Sequence, residues 1–177
     1  MQIENTVCIV VDIQERLTAV LHEADDFVEK SSVLLQGLNA LGIAHIITEQ
    51  YPKGLGNTLA QIKELCPDSP VIEKTRFSAF LSEVEAFLQQ KQAKNVIIIG
   101  AEAHVCMLQT VQDLQAAGYT AYIPFECTTS RSPLNKANAL QQMQAAGAVV
   151  SNVESLLFAL LEDAKHPAFK TISKLIQ

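Results

Sequence analysis

Two hydrophobic periods alternate along this chain, and that alternation restricts its fold more than any other feature. Val7-Cys8-Ile9-Val10-Val11 is a short, unbroken apolar run rich in β-branched residues, as expected of a strand buried on both faces. Comparable runs occur at 43–48, 71–72, 95–99, 120–123 and 148–151, the strongest being Asn95-Val96-Ile97-Ile98-Ile99 before Gly100. Between them the apolar spacing changes to that of a helix. Phe27, Val28, Leu34, Leu35, Leu38 and Leu41 line one face of a helix over 27–41, and Gly42 follows as a stop. The same period predicts helices over 79–90, over 105–117 with Gly118 as the stop, over 133–146 opened by Pro133, and over 155–163. A strand and a helix recurring every ~30 residues is the dimension of a βα unit, which requires a parallel sheet covered by helices. The sequence therefore predicts one α/β domain over residues 1–177, a three-layer Rossmann-like fold with a central six-stranded, mainly parallel sheet and helices on both faces. Pro52, Gly54 and Gly56 exclude regular structure from 49–56. After His166-Pro167 an amphipathic tail carries Phe169, Ile172, Leu175 and Ile176, which either fold back on the domain or dock a partner or a second subunit.

Composition narrows the function classes. With 49% hydrophobic and 18% charged residues the chain is too apolar for disorder. Its net charge of −6 offers no basic footprint for nucleic acid. No apolar run reaches the ~18 residues of a membrane span, and Met1-Gln2-Ile3-Glu4-Asn5 lacks the basic start of a secretory signal. Cys8, Cys66, Cys106 and Cys127 stand too far apart for a zinc ribbon or a CxxC pair, so free thiols and a cytoplasmic location are expected. Gly54-Leu55-Gly56 has Leu59 where a dinucleotide fingerprint needs glycine, and His22-Glu23 lacks the second histidine of a zinc-protease motif. Neither a phosphate-binding loop nor a GxSxG elbow is present.

Open parallel sheets bind ligands outside the carboxyl ends of their strands. Three such ends carry reactive groups here: Asp12 after the first strand, Lys74 after the third, and Cys106 where Gly100-Ala101-Glu102-Ala103-His104-Val105 enters a helix. A thiol at a helix N-terminus meets unpaired N–H groups and the positive end of the dipole, and a nearby ammonium adds to both; all three favour thiolate. A carboxylate could take the thiol proton and return it to a leaving group. Spacing alone equally allows Cys106 to be a small buried hydrophobe, Asp12 a loop residue and Lys74 a solvated one. Cys8 alternates within a strand and belongs to the core, as Cys66 and Cys127 do if structural.

Taken together, Val10-Val11-Asp12-Ile13-Gln14, Glu73-Lys74-Thr75-Arg76-Phe77-Ser78-Ala79-Phe80 and the segment from Gly100 to Cys106 resemble the isochorismatase-like cysteine hydrolases, in that family's order and across nearly the whole chain. Residues 48–56 and 166–170 resemble its isochorismatase-domain-containing subgroup, whose substrate is undefined. The resemblance implies a cofactor-free hydrolase acting on a small amide-like or related molecule. Cys106 would be the nucleophile, Asp12 the general base and acid, and Lys74 the group that stabilises thiolate and orients the carboxylate. It also implies a cis peptide at Ala101-Glu102 and an oxyanion hole built from the N–H groups of Glu102 and Cys106. Gln14, Tyr51, Phe77, Phe80 and His104 are the expected pocket residues, with His104 alternatively hydrogen-bonded inside its own turn. Relatives that hydrolyse nicotinamide hold a metal through an Asp-x-His motif after the second strand. Here that stretch reads Thr48-Glu49-Gln50-Tyr51-Pro52, and His45 falls inside the strand, so no metal is expected. The implied partners are a small-molecule substrate and further copies of the chain in a homo-oligomer, with no nucleic acid and no membrane. A binding or scaffold protein that keeps the fold without turnover is the competing expectation.

Overall fold

The computed structural model describes residues 1–177. After a short 3-10 turn the chain runs β1 (Thr6–Val11), α1 (Glu15–Thr18), α2 (Ala24–Ala40), β2 (Ala44–Gln50), α3 (Pro52–Leu55), α4 (Ala60–Leu65), β3 (Val71–Lys74) and α5 (Ser82–Gln90). It continues through β4 (Asn95–Ala101), a π-helical turn (Ala103–Met107), α6 (Leu108–Ala116), β5 (Thr120–Pro124), β6 (Thr128–Thr129), α7 (Pro133–Ala145), β7 (Val149–Ser151), α8 (Val153–Leu161) and α9 (Phe169–Leu175). All strand pairs are parallel, in the order β3-β2-β1-β4-β5-β7, and the two-residue β6 pairs with β4. The expected three-layer α/β fold is present, with this seventh short strand added.

Unbroken apolar strands follow from burial of both sheet faces. In β1, Cys8 and Val10 join the core beneath α2 and α8, while Val7, Ile9 and Val11 join the core beneath α5, α6 and α7. In β4, Ile97 and Ile99 pack to the first side, Val96 and Ile98 to the second. α9 belongs to the first layer: Ile172 is fully buried there, and Phe169 meets the ring of Phe158 edge-on at 6.2 Å. The apolar residues that could have docked a partner are therefore used largely inside the domain.

Several boundaries differ from the sequence pattern for local reasons. β2 continues to Gln50, and residues 52–55 form one helical turn rather than an irregular loop, because Pro52 occupies its first turn, where no N–H is needed. α5 begins at Ser82, three residues later than its apolar period suggests. The helix expected over 105–117 is α-helical only from Leu108, after the π turn. Ser132 and Asn152 cap α7 and α8 by accepting from Asn135 N and Ser155 N, so α8 starts at Val153. No helix is long and apolar enough to cross a membrane.

Gly100 lies within β4 instead of ending it. It pairs with Val11, its φ is +137°, and a Cβ there would overlap the Val11 carbonyl. Only glycine lets β4 approach β1 this closely, immediately before Asp12 on one strand and Glu102 on the other. Gly100→Ala is expected to lower unfolding free energy by at least about 3 kcal/mol, measured by urea titration. His45, buried in β2 with no partner for Nε2, has its pKa lowered by burial to about 4. A depressed folded-state pKa contributes stability that is full above pH 6.5 and is lost as pH falls toward 4. His45→Phe is expected to remove up to about 3 kcal/mol of that acid-side loss, read from midpoints measured at pH 7 and pH 4.

Candidate active site

Strand order reverses between β1 and β4, because the chain builds β2 and β3 on one side of β1 before crossing to β4 on the other. Such a reversal opens a crevice at the carboxyl ends of the strands. Asp12 stands on its rim, one residue beyond β1, with φ at 53° in the left-handed region that non-glycine residues seldom adopt. Its N–H donates to the Thr48 carbonyl over 3.1 Å, and Thr48 Oγ1 donates to Asp12 Oδ1 over 2.9 Å. Lys74 ends β3 and reaches across the end of β2 to place Nζ 2.7 Å from Asp12 Oδ2, with both side chains fully buried. That ammonium also donates to Gln50 Oε1 at 2.7 Å and to the carbonyls of Phe77 at 2.8 Å and Arg76 at 3.2 Å. The Lys74 ammonium is the charged partner of Asp12 Oδ2, and the Cys106 thiol is the carboxylate's further neighbour.

Cys106 sits in the π turn, 6% exposed. Its carbonyl accepts from Thr110 Oγ1 at 2.6 Å, and that hydroxyl in turn accepts from Ala79 N at 2.8 Å, tying the segment after β3 to α6. The peptide before the turn, Ala101-Glu102, is cis. Asp12 and Cys106 face one cavity of 140 Å³, which Gln50, Glu102 and the apolar side chains Leu17, Leu55, Phe77 and Val105 complete. Glu102 Oε2 accepts from Arg131 N at 2.9 Å and Arg131 Nε at 3.1 Å. Two larger hollows, of 450 Å³ beside His45 and Cys66 and of 630 Å³ between α1 and α2, lie away from these groups, whereas one of 340 Å³ is lined by Lys74, Tyr51 and Glu73.

Burial dominates the electrostatics. It raises Asp12 above the ordinary carboxylate range despite the opposing pull of Lys74, Thr48 and Cys106. The Cys106 thiol is pushed up to about 12, by burial first and by the Asp12 carboxylate second, with Lys74 pulling the other way. The expected lowering by Lys74 is thus present, opposed by burial and by Asp12. The other three cysteines are free and buried with raised pKa values, Cys66 at about 11.

Of the expected pocket residues, Phe77 lines the cavity and four do not. Gln14 is fully buried, and its amide spans the loop after β2, donating to the carbonyls of Gln50 and Gly56 and accepting from Gln50 N. Tyr51 is exposed and lies over Gly54. Phe80 packs edge-on against Tyr119. His104 bonds neither into the cavity nor within its own turn: Nδ1 meets Ser130 Oγ at 3.0 Å, and Nε2 meets Asn135 Nδ2 at 3.4 Å. Sequence reasoning missed Leu17, Gln50, Leu55 and Val105. Gln50 and Leu55 lie in the stretch read as irregular, Leu17 lies on the unforeseen α1, and Val105 is marked only by its place beside Cys106.

Comparison with known proteins agrees with this architecture. A family model described as the isochorismatase domain matches residues 6–155. The isochorismatase domain-containing protein 1 of Salmo salar is 39% identical over 173 residues, covering 97% of this chain and 61% of that protein. A second such protein, from Danio rerio, is covered to 59%, so the chain spans about three-fifths of the length of these fish relatives. The MAR1 ribonuclease from Caenorhabditis elegans superimposes with a TM-score of 0.95 at 35% identity, over 99% of this chain and 91% of that one. With a matching family model over most of its length and relatives above 30% identity, the chain belongs to the isochorismatase family and carries its hydrolase fold.

Proposed function

We propose that this chain is a cysteine-dependent hydrolase that cleaves a C–N bond in a small amide-like or related substrate. The observation that carries this reading is the buried Asp12–Lys74 pair, whose carboxylate faces the same cavity as the Cys106 thiol. With the thiol pushed up to about 12, a standing thiolate is not the nucleophile. Proton transfer to Asp12 Oδ2 instead accompanies attack of Sγ on the substrate carbonyl, whose π electrons move onto oxygen. Lys74 keeps Asp12 ionised enough to accept that proton, and the N–H groups of Glu102 and Cys106 receive the oxyanion. Collapse of the tetrahedral adduct expels the amine, which takes the proton back from Asp12 and leaves a thioester on Cys106. Water then attacks the thioester, giving a proton to Asp12; that proton returns to sulfur as the acid leaves. These residues supply nucleophile, base and acid, so the cycle requires no cofactor. The same reading makes the enzyme a cytoplasmic homo-oligomer; its four free thiols support the first and exposed Val20 and Leu134 the second.

The likeness to a ribonuclease supports a second reading, cleavage of RNA. The net charge of −6 and the small cavity weigh against it. A panel of small amides, small esters and a structured RNA, assayed on wild type and on Cys106→Ala, separates the two. Amide turnover is expected, with a loss of at least about 10³-fold on substitution and about 10²–10⁴-fold for Asp12→Asn. Cleavage of RNA alone, or turnover that survives Cys106→Ala, would sink the proposal. A protonated resting thiol carries its own signature: the rate of Cys106 alkylation by iodoacetamide should still be climbing above pH 9. A plateau below pH 8, read by mass spectrometry, would show an activated thiolate instead.

A further inference from the structure

We propose that the cavity at Cys106 selects uncharged substrates of about six non-hydrogen atoms and rejects carboxylates, a substrate class that rests on the hydrolase reading above. Size comes from the cavity volume. At 140 Å³ it is close to engineered protein cavities of about 150 Å³, which hold one benzene. Selection against charge comes from what faces the space. Its apolar walls are Leu17, Leu55, Phe77 and Val105, and its two ionisable acids are Asp12 and Glu102.

Both countercharges stand behind these carboxylates and not in the cavity. The Lys74 ammonium is surrounded by Asp12 Oδ2, Gln50 Oε1 and two backbone carbonyls. Gln50 Nε2 is likewise committed, donating to the Thr75 carbonyl at 3.0 Å. Arg131 holds Glu102 Oε2 from the outer side, its own side chain 65% exposed. A substrate carboxylate would therefore shed its water shell into an apolar space with no cation to receive it and two like charges to meet. A neutral amide or ester loses far less on the same transfer.

Three reagents with one iodomethyl-carbonyl warhead read this selection without any turnover: iodoacetamide (small, neutral), iodoacetate (small, anionic) and iodoacetanilide (neutral, larger). Rates at Cys106 are measured at pH 9 by mass spectrometry on the native full chain, each divided by the rate at the same cysteine in the urea-unfolded chain. The normalised iodoacetamide rate should exceed that of iodoacetate by at least about tenfold, and that of iodoacetanilide by a similar factor. Leu17→Lys, which places an ammonium in a half-buried wall, should bring iodoacetate to within about threefold of iodoacetamide. Equal normalised rates for all three reagents overturn the proposal, as does a Cys106 that none of them labels. If the variant does not fold, the wild-type ratios decide alone. Failure of this selectivity leaves the hydrolase reading intact, whereas selective labelling with no turnover on the amide and ester panel removes that reading and leaves the selectivity.

Discussion

The buried ion pair between Asp12 and Lys74 is the interaction on which the rest of this site depends. Two opposite charges with no solvent exposure lose hydration worth several kcal/mol each, and their attraction alone seldom recovers it. The chain offsets the loss with neutral partners. Thr48 donates to the carboxylate, while Gln50 and two carbonyls accept from the ammonium. Each of these partners is placed by the sheet. Thr48 pairs with Val11, next to Asp12, and Gln50 pairs with Lys74, so β2 is the scaffold across which β1 and β3 exchange charge. Removing either charged partner would strand the other in the core, which is why the pair acts as one unit with the end of the sheet.

Backbone geometry concentrates at the same place. Asp12 takes a left-handed conformation, Gly100 permits a contact that no side chain allows, and the segment before α6 winds as a π turn. All three sit where strand order reverses and the sheet no longer imposes regular pairing. A parallel sheet holds residues in register up to its last pair; beyond that, turn geometry decides where a side chain points. Three departures from regular structure thus meet at the residues that bring a carboxylate and a thiol to one cavity.

This division explains how much was legible in the sequence. The fold was, because burial of both sheet faces writes β-branched runs and burial of one helix face writes a period near four, and neither depends on distant detail. Asp12, Lys74 and Cys106 were visible as polar or reactive residues at or a few positions past the ends of such runs. The cavity walls were not. Leu17 and Leu55 come from single helical turns too short to show a period, and Gln50 extends β2 past the end of its apolar pattern. Gln14 looked like a pocket residue from its distance to Asp12, but its amide is used up bracing the loop after β2. The thiol's protonation state was also out of reach. Local sequence shows a helix start and a lysine, both lowering the pKa, whereas the larger effects are burial and Asp12, which only the assembled fold supplies.

Two carboxylates share the cavity, and their surroundings divide the work between them in the proposed reaction. Glu102 Oε2 receives two donors from Arg131, one of them a guanidinium N–H, and is tied by them to the loop that carries Arg131. Asp12 Oδ2 lies 2.7 Å from the Lys74 ammonium, and burial raises the Asp12 pKa against that pull. In the proposed reaction the proton leaving sulfur goes to Asp12, the acid whose pKa burial raises, although both acids border the same space. The Glu102 side chain instead anchors the loop around Arg131.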